Sequence, residues 1–477
     1  MDFGLPSMVW RSFKTPKSAV IGAEERMNRR RSLATLWLLM SIIVLAACTV
    51  NDGTGSDAGF GFETPQSADF VKLTIESASF PNLLQGPVFA TPTATGTIAP
   101  TPLPTSTRVP RPTIAMSLLR QLRAEDIPLA AEVDVVLSEM HAPVSIAIAP
   151  DGRLFYTEKD TGNVRVVIDG VIQPEPVLTQ VVGSHGEQGM LGITLDPNFE
   201  ENHHIWISYT HPARVNDGVK VNRVVRFTEQ DNLATDIQVA FESPNTDGDG
   251  THNVNNMVFG PDGMIYVTIG DDNQSFTSQD LADPRGKIHR FIPTVPLTIP
   301  DDNPFYDGDG PNVDSTYVRG VRNSFDFVLD PLSDETIFFA TENGPDCDDE
   351  VNLILPGYNY GWSSEYSCED PDRVQPEINT IPPMLVWDET TSPTGIIVYT
   401  GDDFPEWYGD VFFCTYDGVL HHLTLNEERN SFRTHRALPG LYCQTDILNG
   451  PDGSIYFLEG GGYFDGTLKR LYNKNRQ

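Results

Sequence analysis

An acidic run beside a Gly-Pro turn is the part of the sequence whose residue types most directly suggest a metal ion. Four carboxylates lie within residues 346–350, immediately after Gly344 and Pro345. Their charges repel one another unless a cation lies between them, and carboxylate and carbonyl oxygens are the ligands that Ca²⁺ takes, about six to eight at a time. The turn-rich continuation through Tyr360 to Asp370 supplies further oxygens. The sequence therefore predicts a calcium site here. An acidic surface loop without an ion explains the composition equally well.

A histidine and an aspartate adjoin two apolar segments in the middle of the chain. His252 stands before the short segment that ends at Phe259, and Asp271 follows the predicted strand that contains Tyr266. The imidazole has an ordinary pKa of about 6.5, so it is a natural base for removing a hydroxyl proton near neutral pH. A loop histidine that only caps a turn is the alternative interpretation.

Six copies of one unit, a turn followed by a short apolar strand, recur along the chain beyond Val133. The copies lie at residues 149–156, 196–207, 260–267, 330–339, 402–413 and 450–457. Repeats about 45–75 residues apart suit four-stranded blades with long insertions, and six blades close a propeller without open sheet edges. The Asp-Gly turns supply the positive φ that tight hairpins need. We therefore predict an all-β fold, a six-bladed β-propeller over residues 131–477, with a pair of β-sandwiches as the alternative.

The acidic run also carries a family resemblance. Residues 344–353 (GPDCDDEVNL) and 359–362 (NYGW) resemble, in order and spacing, two motifs of the glucose/sorbosone dehydrogenases, the family of soluble aldose sugar dehydrogenases that use pyrroloquinoline quinone (PQQ). The resemblance implies a calcium ion at the quinone, held by the carbonyl oxygens of the Gly-Pro turn, and a second calcium cluster nearby. The metal ligands it implies are Gly344, Pro345, Asp349, Glu350, Tyr360 and Asp370.

Other motifs of the family follow in the family's order, within residues 186–192, 251–263, 270–271, 320–323 and 387–395. The resemblance implies that Gln188 and Asp271 contact the substrate. It implies catalytic roles for His252, Asp271 and Arg322, and it implies cofactor contacts at Arg322, Asn323, Asn343, Trp387 and Thr390.

The reaction that the resemblance implies is the oxidation of an aldose sugar at C1 to the lactone. Hydride leaves C1 only if the hydroxyl proton is removed at the same time, which gives His252 its role as base. Ca²⁺ would polarise the quinone oxygen, and Arg322 would stabilise the negative charge that develops there. The implied partners are a small-molecule sugar and an external electron acceptor.

The sequence departs from the family where the carboxylates of PQQ are bound. The family uses a lysine and two arginines there, whereas the corresponding segments here, residues 413–418 and 441–446, contain no basic residue. Each lost charge-assisted contact is worth about 1.5–3 kcal/mol. Two interpretations therefore remain besides the dehydrogenase: a calcium-binding propeller without redox activity, such as a glycan-binding surface protein, and a calcium-dependent lactonase-like hydrolase.

The N-terminus carries an export signal. Three arginines, residues 29–31, precede an apolar run over residues 33–47, which ends in Leu-Ala-Ala-Cys. The basic segment, the short apolar segment and the small residues are typical of a signal peptide, and the ending resembles a lipoprotein cleavage site. We expect a signal segment over residues 1–47, with the start possibly at Met27, and lipidation of Cys48. A plain signal peptide is the alternative.

Behind Cys48 the sequence predicts an extended, disordered connection to the propeller. Residues 48–130 form a tether and then a stalk, and residues 90–113 are dominated by Thr and Pro. Proline removes backbone donors and favours extended polyproline II, so this part is not a core. The predicted location is the outer face of the cell membrane, periplasmic or at the cell surface, with contact to the membrane only through the lipid anchor.

The remaining four cysteines and the net charge indicate the redox state of the compartment and the kind of partner. An even number of cysteines in an oxidising compartment favours two disulfides. Proximity in the sequence favours Cys347–Cys368 and Cys414–Cys443, with free buried thiols as the alternative. The formal net charge of −34 disfavours nucleic acid and anionic lipid headgroups as partners, because like charges repel.

Overall fold

The computed structural model describes residues 127–212, 220–245, 250–368, 380–387, 390–438 and 440–476. The predicted signal segment, Cys48, the tether and almost all of the stalk lie outside these residues, as does Asp370. Within the described residues, no helix is long and apolar enough to span a membrane.

Strands dominate the described residues and form six antiparallel sheets, which we call blades 1 to 6. Blade 1 contains β2 (Pro143–Ile148), β3 (Leu154–Glu158), β4 (Asn163–Ile168), β5 (Val171–Ile172) and β6 (Leu178–Thr179). Blade 2 contains β7 (Met190–Leu195), β8 (His204–His211), β9 (Lys220–Gln230) and β10 (Leu233–Asn245). Blade 3 contains β11 (Val254–Phe259), β12 (Ile265–Ile269), β13 (Lys287–Phe291) and β14 (Thr316–Arg319).

The second half of the ring repeats this plan. Blade 4 contains β15 (Ser324–Leu329), β16 (Phe338–Glu342), β17 (Asp349–Ile354) and β18 (Leu385–Trp387). Blade 5 contains β19 (Pro393–Val398), β20 (Val411–Thr415), β21 (Val419–Leu425) and β22 (Phe432–Leu438). Blade 6 contains β23 (Ile447–Asn449), β24 (Ile455–Gly460), β25 (Gly466–Asn473) and β1 (Ala131–Met140). The short helices α1 (Phe199–Asn202) and α2 (Pro311–Ser315) lie in connections. The predicted six-bladed β-propeller is confirmed.

The first strand of each blade in sequence order, or β23 in blade 6, lies innermost. Each of these strands contacts the innermost strands of the two neighbouring blades, and β23 contacts β2, so the blades form a closed ring in the order 1 to 6. The predicted Asp-Gly turns connect the first two strands within a blade; Gly263, with φ of 74°, is one example. Glycine adopts this left-handed conformation without the steric cost that a Cβ imposes.

The ring is closed by pairing the two ends of the propeller. β1 pairs antiparallel with β25, with Ala131 opposite Asn473 and Met140 opposite Gly466. Leu137 and Met140 are buried against blades 6 and 1. The N-terminal strand therefore completes the last blade, and both blade 6 and the ring depend on it.

Apolar side chains fill the spaces between blades. One cluster packs Phe155 of blade 1 against Phe199 and Tyr209 of blade 2, and similar clusters lie between the other blades. Buried aromatic rings of this size contribute most of the apolar burial in such a core.

Buried carboxylates link the innermost strands. Asp446 accepts a hydrogen bond from the Ile146 backbone N–H across the junction between blades 6 and 1, at 2.7 Å. Asp326 of blade 4 accepts one from the Asn256 amide of blade 3 at 2.6 Å and one from the Ile396 N–H of blade 5 at 3.0 Å. Burial raises the pKa of Asp326 to about 6 and that of Asp446 well above its ordinary range. These donors offset part of the cost of burying charge.

Both predicted disulfides are present. Cys347–Cys368 joins two connections of blade 4, and Cys414–Cys443 joins β20 of blade 5 to the segment that enters blade 6. The first closes a loop on one blade, and the second ties two blades together.

Deletion of residues 131–140 from the full chain should lower the free energy of unfolding by at least about 3 kcal/mol, because it exposes the apolar surface that Leu137 and Met140 bury and leaves β25 unpaired. Thermal and urea unfolding would measure the loss. Deletion of residues 90–113 is the matched control and should change the stability by less than about 0.5 kcal/mol. Equal stability of the two variants would contradict closure through β1.

Candidate active site

A cavity of about 440 Å³ lies where the innermost strands begin, at one end of the propeller axis, and all six blades contribute to its wall. It brings together seven of the predicted site residues, which are His252, Arg322, Asn323, Asn343, Gly344, Pro345 and Thr390. The convergence results from the ring, because the loops at this end of every blade point toward the same axis.

His252 and Asp271 form a buried pair at this cavity. The imidazole Nδ1 lies 2.5 Å from Asp271 Oδ1. Asp271 also accepts hydrogen bonds from the Trp362 indole N–H at 2.7 Å and from the Asn273 backbone N–H at 2.9 Å. Because a carboxylate engages Nδ1, the neutral imidazole carries its proton there and leaves Nε2 as the acceptor. The pair therefore has the arrangement of a general base and the group that orients it.

The backbone at His252 is held in an uncommon conformation. Its φ is +51°, in the left-handed region, and its N–H donates to Glu187 Oε2 at 2.7 Å. Non-glycine residues in this region cost free energy and persist where the surrounding contacts fix them. Blade 2 therefore contributes to the placement of the histidine through Glu187, which also lines the cavity.

Glu342 fixes the position of Arg322 and Asn323. Its Oε1 accepts the backbone N–H of Arg322 at 2.7 Å and that of Asn323 at 2.6 Å. Burial raises the pKa of Glu342 to about 7, although these donors oppose the shift. The Arg322 guanidinium donates to the Asn343 carbonyl at 2.8 Å and lies 5.4 Å from the centre of the Trp362 ring. Trp362 thus contacts both Arg322 and the His252–Asp271 pair.

The Gly-Pro turn presents oxygens to the cavity. Asn343 is buried, and its Oδ1 has no hydrogen-bond partner among the described residues. The Gly344 and Pro345 carbonyls accept no hydrogen bond from any residue in the described part of the chain. A Cβ at residue 344 would lie 1.9 Å from the Cys347 carbonyl oxygen, so only glycine fits there. These neutral oxygens on one turn fit a hard cation such as Ca²⁺.

Asp349 accepts hydrogen bonds from this turn and from the start of blade 5. Its Oδ1 accepts the Gly344 N–H at 2.8 Å, and its Oδ2 accepts the N–H groups of Thr391 at 2.5 Å and Ser392 at 2.6 Å. Burial raises the pKa of Asp349. The carboxylate therefore connects blade 4 to the start of blade 5 beside the cavity, and its predicted role as a metal ligand stays a prediction.

Two of the three residues of the second predicted calcium cluster, Glu350 and Tyr360, lie among the described residues. The Tyr360 hydroxyl donates to the Leu353 carbonyl and accepts the Leu355 N–H. Glu350 accepts a hydrogen bond from the Asn352 side chain, and Asp370 lies outside the described residues. Within those residues, no group of three or more His, Cys, Asp and Glu side chains has the spacing of a metal site. The ligand roles of Glu350, Tyr360 and Asp370 stay predictions.

Trp387 and Gln188, which were predicted to contact the cofactor and the substrate, do not line the cavity. Trp387 is fully buried against Phe413, His421 and His435, between blades 4 and 5. It belongs to β18, the outermost strand of blade 4, and does not line the cavity. Its predicted contact with the cofactor stays a prediction. Gln188 is 1% exposed, and its side chain lies beside Gly183 of the same loop. The adjacent Glu187 lines the cavity.

Lys159, Tyr416, Thr445 and Tyr463 line the cavity as well and were not predicted. Several cavity residues stand directly after the second strand of a blade: Lys159 after β3, Asn343 after β16 and Tyr416 after β20. The repeated turn-and-strand unit could have identified these positions, because each unit ends at the same end of the ring.

Fold and site together define a six-bladed β-propeller with a cavity at one end of its axis. The family model for glucose/sorbosone dehydrogenase matches residues 140–469. The chain therefore belongs to the glucose/sorbosone dehydrogenase family, as the resemblance predicted. Membership supports an oxidoreductase that acts on a small-molecule sugar.

Three relatives show the range of the similarity. An uncharacterized protein of Synechocystis, slr1608, is 31% identical over 364 residues, which cover 70% of this chain and 85% of that protein. The aldose sugar dehydrogenase YliI of Escherichia coli is 27% identical over 343 residues, which cover 69% of this chain and 90% of the relative. Quinoprotein glucose dehydrogenase B of Acinetobacter calcoaceticus is 28% identical over 264 residues, which cover 50% of this chain and 53% of the relative.

A solved structure of a relative has a similar fold. The crystal structure of the soluble aldose sugar dehydrogenase from Escherichia coli, in its apo form, superposes with a TM-score of 0.63 at 26% identity. It covers 72% of this chain and 99% of that one.

Replacement of Asp349 by alanine should lower the free energy of unfolding by about 2–4 kcal/mol, because it leaves the buried N–H groups of the turn and of blade 5 without an acceptor. Urea unfolding with a chelator present would measure the loss. Asp346→Ala is the matched control, since Asp346 is exposed on the same loop, and it should change the stability by less than about 0.5 kcal/mol. A loss that appears only when Ca²⁺ is present would instead assign Asp349 to the metal.

Proposed function

We propose that this protein is an exported, PQQ-dependent dehydrogenase that oxidises an aldose sugar at C1 to the lactone. The observation that carries the proposal is the convergence of the His252–Asp271 pair and Arg322 on one cavity. Family membership supports the same chemistry, and the printed name of one relative, a quinoprotein glucose dehydrogenase, supports the choice of cofactor.

The oxidation removes a hydride and a proton from the sugar. When bound, PQQ supplies the acceptor for the hydride from C1. His252 takes the proton of the C1 hydroxyl at Nε2 while Asp271 stabilises the imidazolium that forms. Asp271 keeps its second oxygen on Trp362, so the imidazole ring stays in one orientation during the transfer.

Arg322 and the Gly-Pro turn complete the proposed site on blade 4. The guanidinium faces the cavity with its backbone fixed by Glu342, so it is placed to compensate negative charge on a bound acceptor. The Asn343 side chain and the Gly344 and Pro345 carbonyls would hold Ca²⁺, which would act there as a Lewis acid. Asn323 and Thr390 line the same wall and would contact the cofactor.

Repeated turnover would require an external electron acceptor. We place this reaction outside the cell, on the basis of the signal segment over residues 1–47 and the proposed lipid anchor at Cys48. A tether and a Thr/Pro-rich stalk over residues 48–130 would hold the propeller away from the membrane surface.

The calcium-loaded full chain, purified in detergent, should bind PQQ with a stoichiometry of one and should then reduce an electron-accepting dye when an aldose is added. Absorbance of the quinone and of the dye would measure the two steps. His252→Asn should bind PQQ normally and lose at least about 100-fold in kcat, because the amide cannot accept the proton, while asparagine tolerates the left-handed backbone.

His185→Asn is the matched control, because His185 is exposed on a neighbouring loop, and it should retain the activity. A His252→Asn variant with full activity would disprove the assignment of the base. No binding of PQQ at micromolar concentration would disprove the cofactor, and it would favour a calcium-dependent hydrolase or a glycan-binding surface protein.

Chelation should lower the melting temperature of the cofactor-free protein, because Ca²⁺ binds the folded turn and not the unfolded chain. At a free Ca²⁺ concentration of about 100 times Kd, the ion would contribute about 2.7 kcal/mol. Differential scanning fluorimetry with EDTA, followed by addition of excess Ca²⁺ or Mg²⁺, would measure the change, and Ca²⁺ should restore the stability better than Mg²⁺.

Asn343→Ala should reduce the calcium-dependent shift, since it removes the side-chain oxygen beside the turn. Glu350→Gln tests the second cluster in the same assay. A melting temperature that does not respond to EDTA would refute both calcium sites.

A further inference from the structure

Lys159 is a buried cation on the wall of the cavity. The residue is 5% exposed, and its ammonium donates to the Gly186 carbonyl at 2.9 Å and lies 4.4 Å from the centre of the Tyr463 ring. Among the described residues it forms no salt bridge, and burial lowers its pKa. A buried ammonium costs free energy that an opposite charge can recover.

The ring places Lys159 opposite the quinone end of the proposed site. Lys159 follows β3 in blade 1, whereas Arg322, Asn343 and the Gly-Pro turn belong to blade 4. In a closed ring of six, blades 1 and 4 lie across the axis from each other. A ligand that extends from Arg322 across the cavity therefore ends near blades 6 and 1.

The charges of the cavity wall are few. Lys159 and Arg322 are the permanent cations among the described residues that line it, and Glu187 is the carboxylate. Glu187 uses Oε2 to accept the His252 backbone N–H. The segments around Tyr416 and Thr445, on blades 5 and 6, contribute hydroxyl groups and no basic side chain. At the end of the cavity away from Arg322, a ligand anion therefore has Lys159 as its cationic partner.

We propose that Lys159 binds a carboxylate of the PQQ cofactor, as a cation supplied by blade 1 instead of by blades 5 and 6. PQQ is a tricarboxylate whose quinone oxygens lie at the opposite end of the molecule from part of this charge, so one ligand can meet Arg322 and Lys159 together. The inference rests on the proposed function and adds to it the residue that recognises the charge of the cofactor. Tyr463 and the Gly186 carbonyl hold the ammonium in place before the ligand arrives.

The test is a binding titration of the calcium-loaded full chain, without any sugar, that compares PQQ with its trimethyl ester. Quinone absorbance and equilibrium dialysis give Kd directly, so the result does not depend on turnover. Lys159→Met keeps the length and apolar stem of the side chain and removes its charge. It should raise Kd for PQQ by about ten- to a hundredfold and change Kd for the ester by less than about twofold.

Lys474→Met is the matched control, because Lys474 is exposed and pairs with Glu132 on the outer strand of blade 6, and it should leave both Kd values unchanged. Lys159→Arg should retain most of the affinity for PQQ because the charge remains. Circular dichroism and the melting temperature establish that each variant is folded. Should Lys159→Met not fold, Lys159→Gln takes its place in the same titration, and it should raise Kd for PQQ but not for the ester.

The outcomes separate the two proposals. If the wild-type chain binds PQQ and Lys159→Met binds it equally well, the inference is wrong and the proposed function stands. A Lys159→Met variant that changes only the KM for sugars that carry a carboxylate, with Kd for PQQ unaltered, overturns it too and assigns the lysine to the substrate. If the wild-type chain binds neither PQQ nor the ester, the proposed function and the inference both fail.

Discussion

Closure of the ring is the constraint on which the rest of this structure depends. Six twisted sheets, arranged around an axis, can bury their faces only against one another, so each blade needs two neighbours. The pairing of β1 with β25 provides the last of these contacts, and it joins Ala131 to Asn473 from the two ends of the propeller. Once closed, the ring packs each innermost strand between the innermost strands of two neighbouring blades, and the cavity of the candidate site lies at one end of its axis. His252, Arg322 and the Gly-Pro turn reach that cavity from different parts of the sequence.

Buried carboxylates give this ring its rigidity near the site. Asp326, Glu342, Asp349 and Asp446 each accept backbone N–H groups, and all but Glu342 do so from a neighbouring blade. Burial raises the pKa of each of them, and the donors partly offset that cost. Some of the acidity of this protein therefore lies inside the fold, where carboxylates position the backbone of Arg322 and of the Gly-Pro turn. An acidic composition is usually interpreted as surface charge alone. In this protein, these four carboxylates are buried and hold backbone N–H groups in place.

The site combines a base on one blade with a charge-stabilising group on the next. His252 and Asp271 belong to blade 3, Arg322 belongs to blade 4, and Trp362 contacts both sides. The indole N–H donates to Asp271 and the indole ring packs against Arg322, so one side chain links the two halves. Lys159 adds a cation to the cavity wall from blade 1, on the other side of the axis from Arg322. A wall with cations at opposite ends and hydroxyl groups between them suits a long, flat anion better than a small neutral sugar alone.

The sequence by itself determined the number of blades, because the turn-and-strand unit recurs as a local signal, and it determined both disulfides, whose cysteines are close in sequence. It also predicted roles for His252, Asp271, Arg322 and the Gly-Pro turn, since their motifs occur in the order of the family. Only the tertiary structure decided which side chains face the axis. Trp387 stands on an outer strand and is buried between blades, Asp349 holds backbone amides, and Lys159, which no motif marks, lines the cavity. Distance from the axis depends on which strand of a blade carries the residue and on how that blade packs against the next, and neither is encoded in the spacing of a motif.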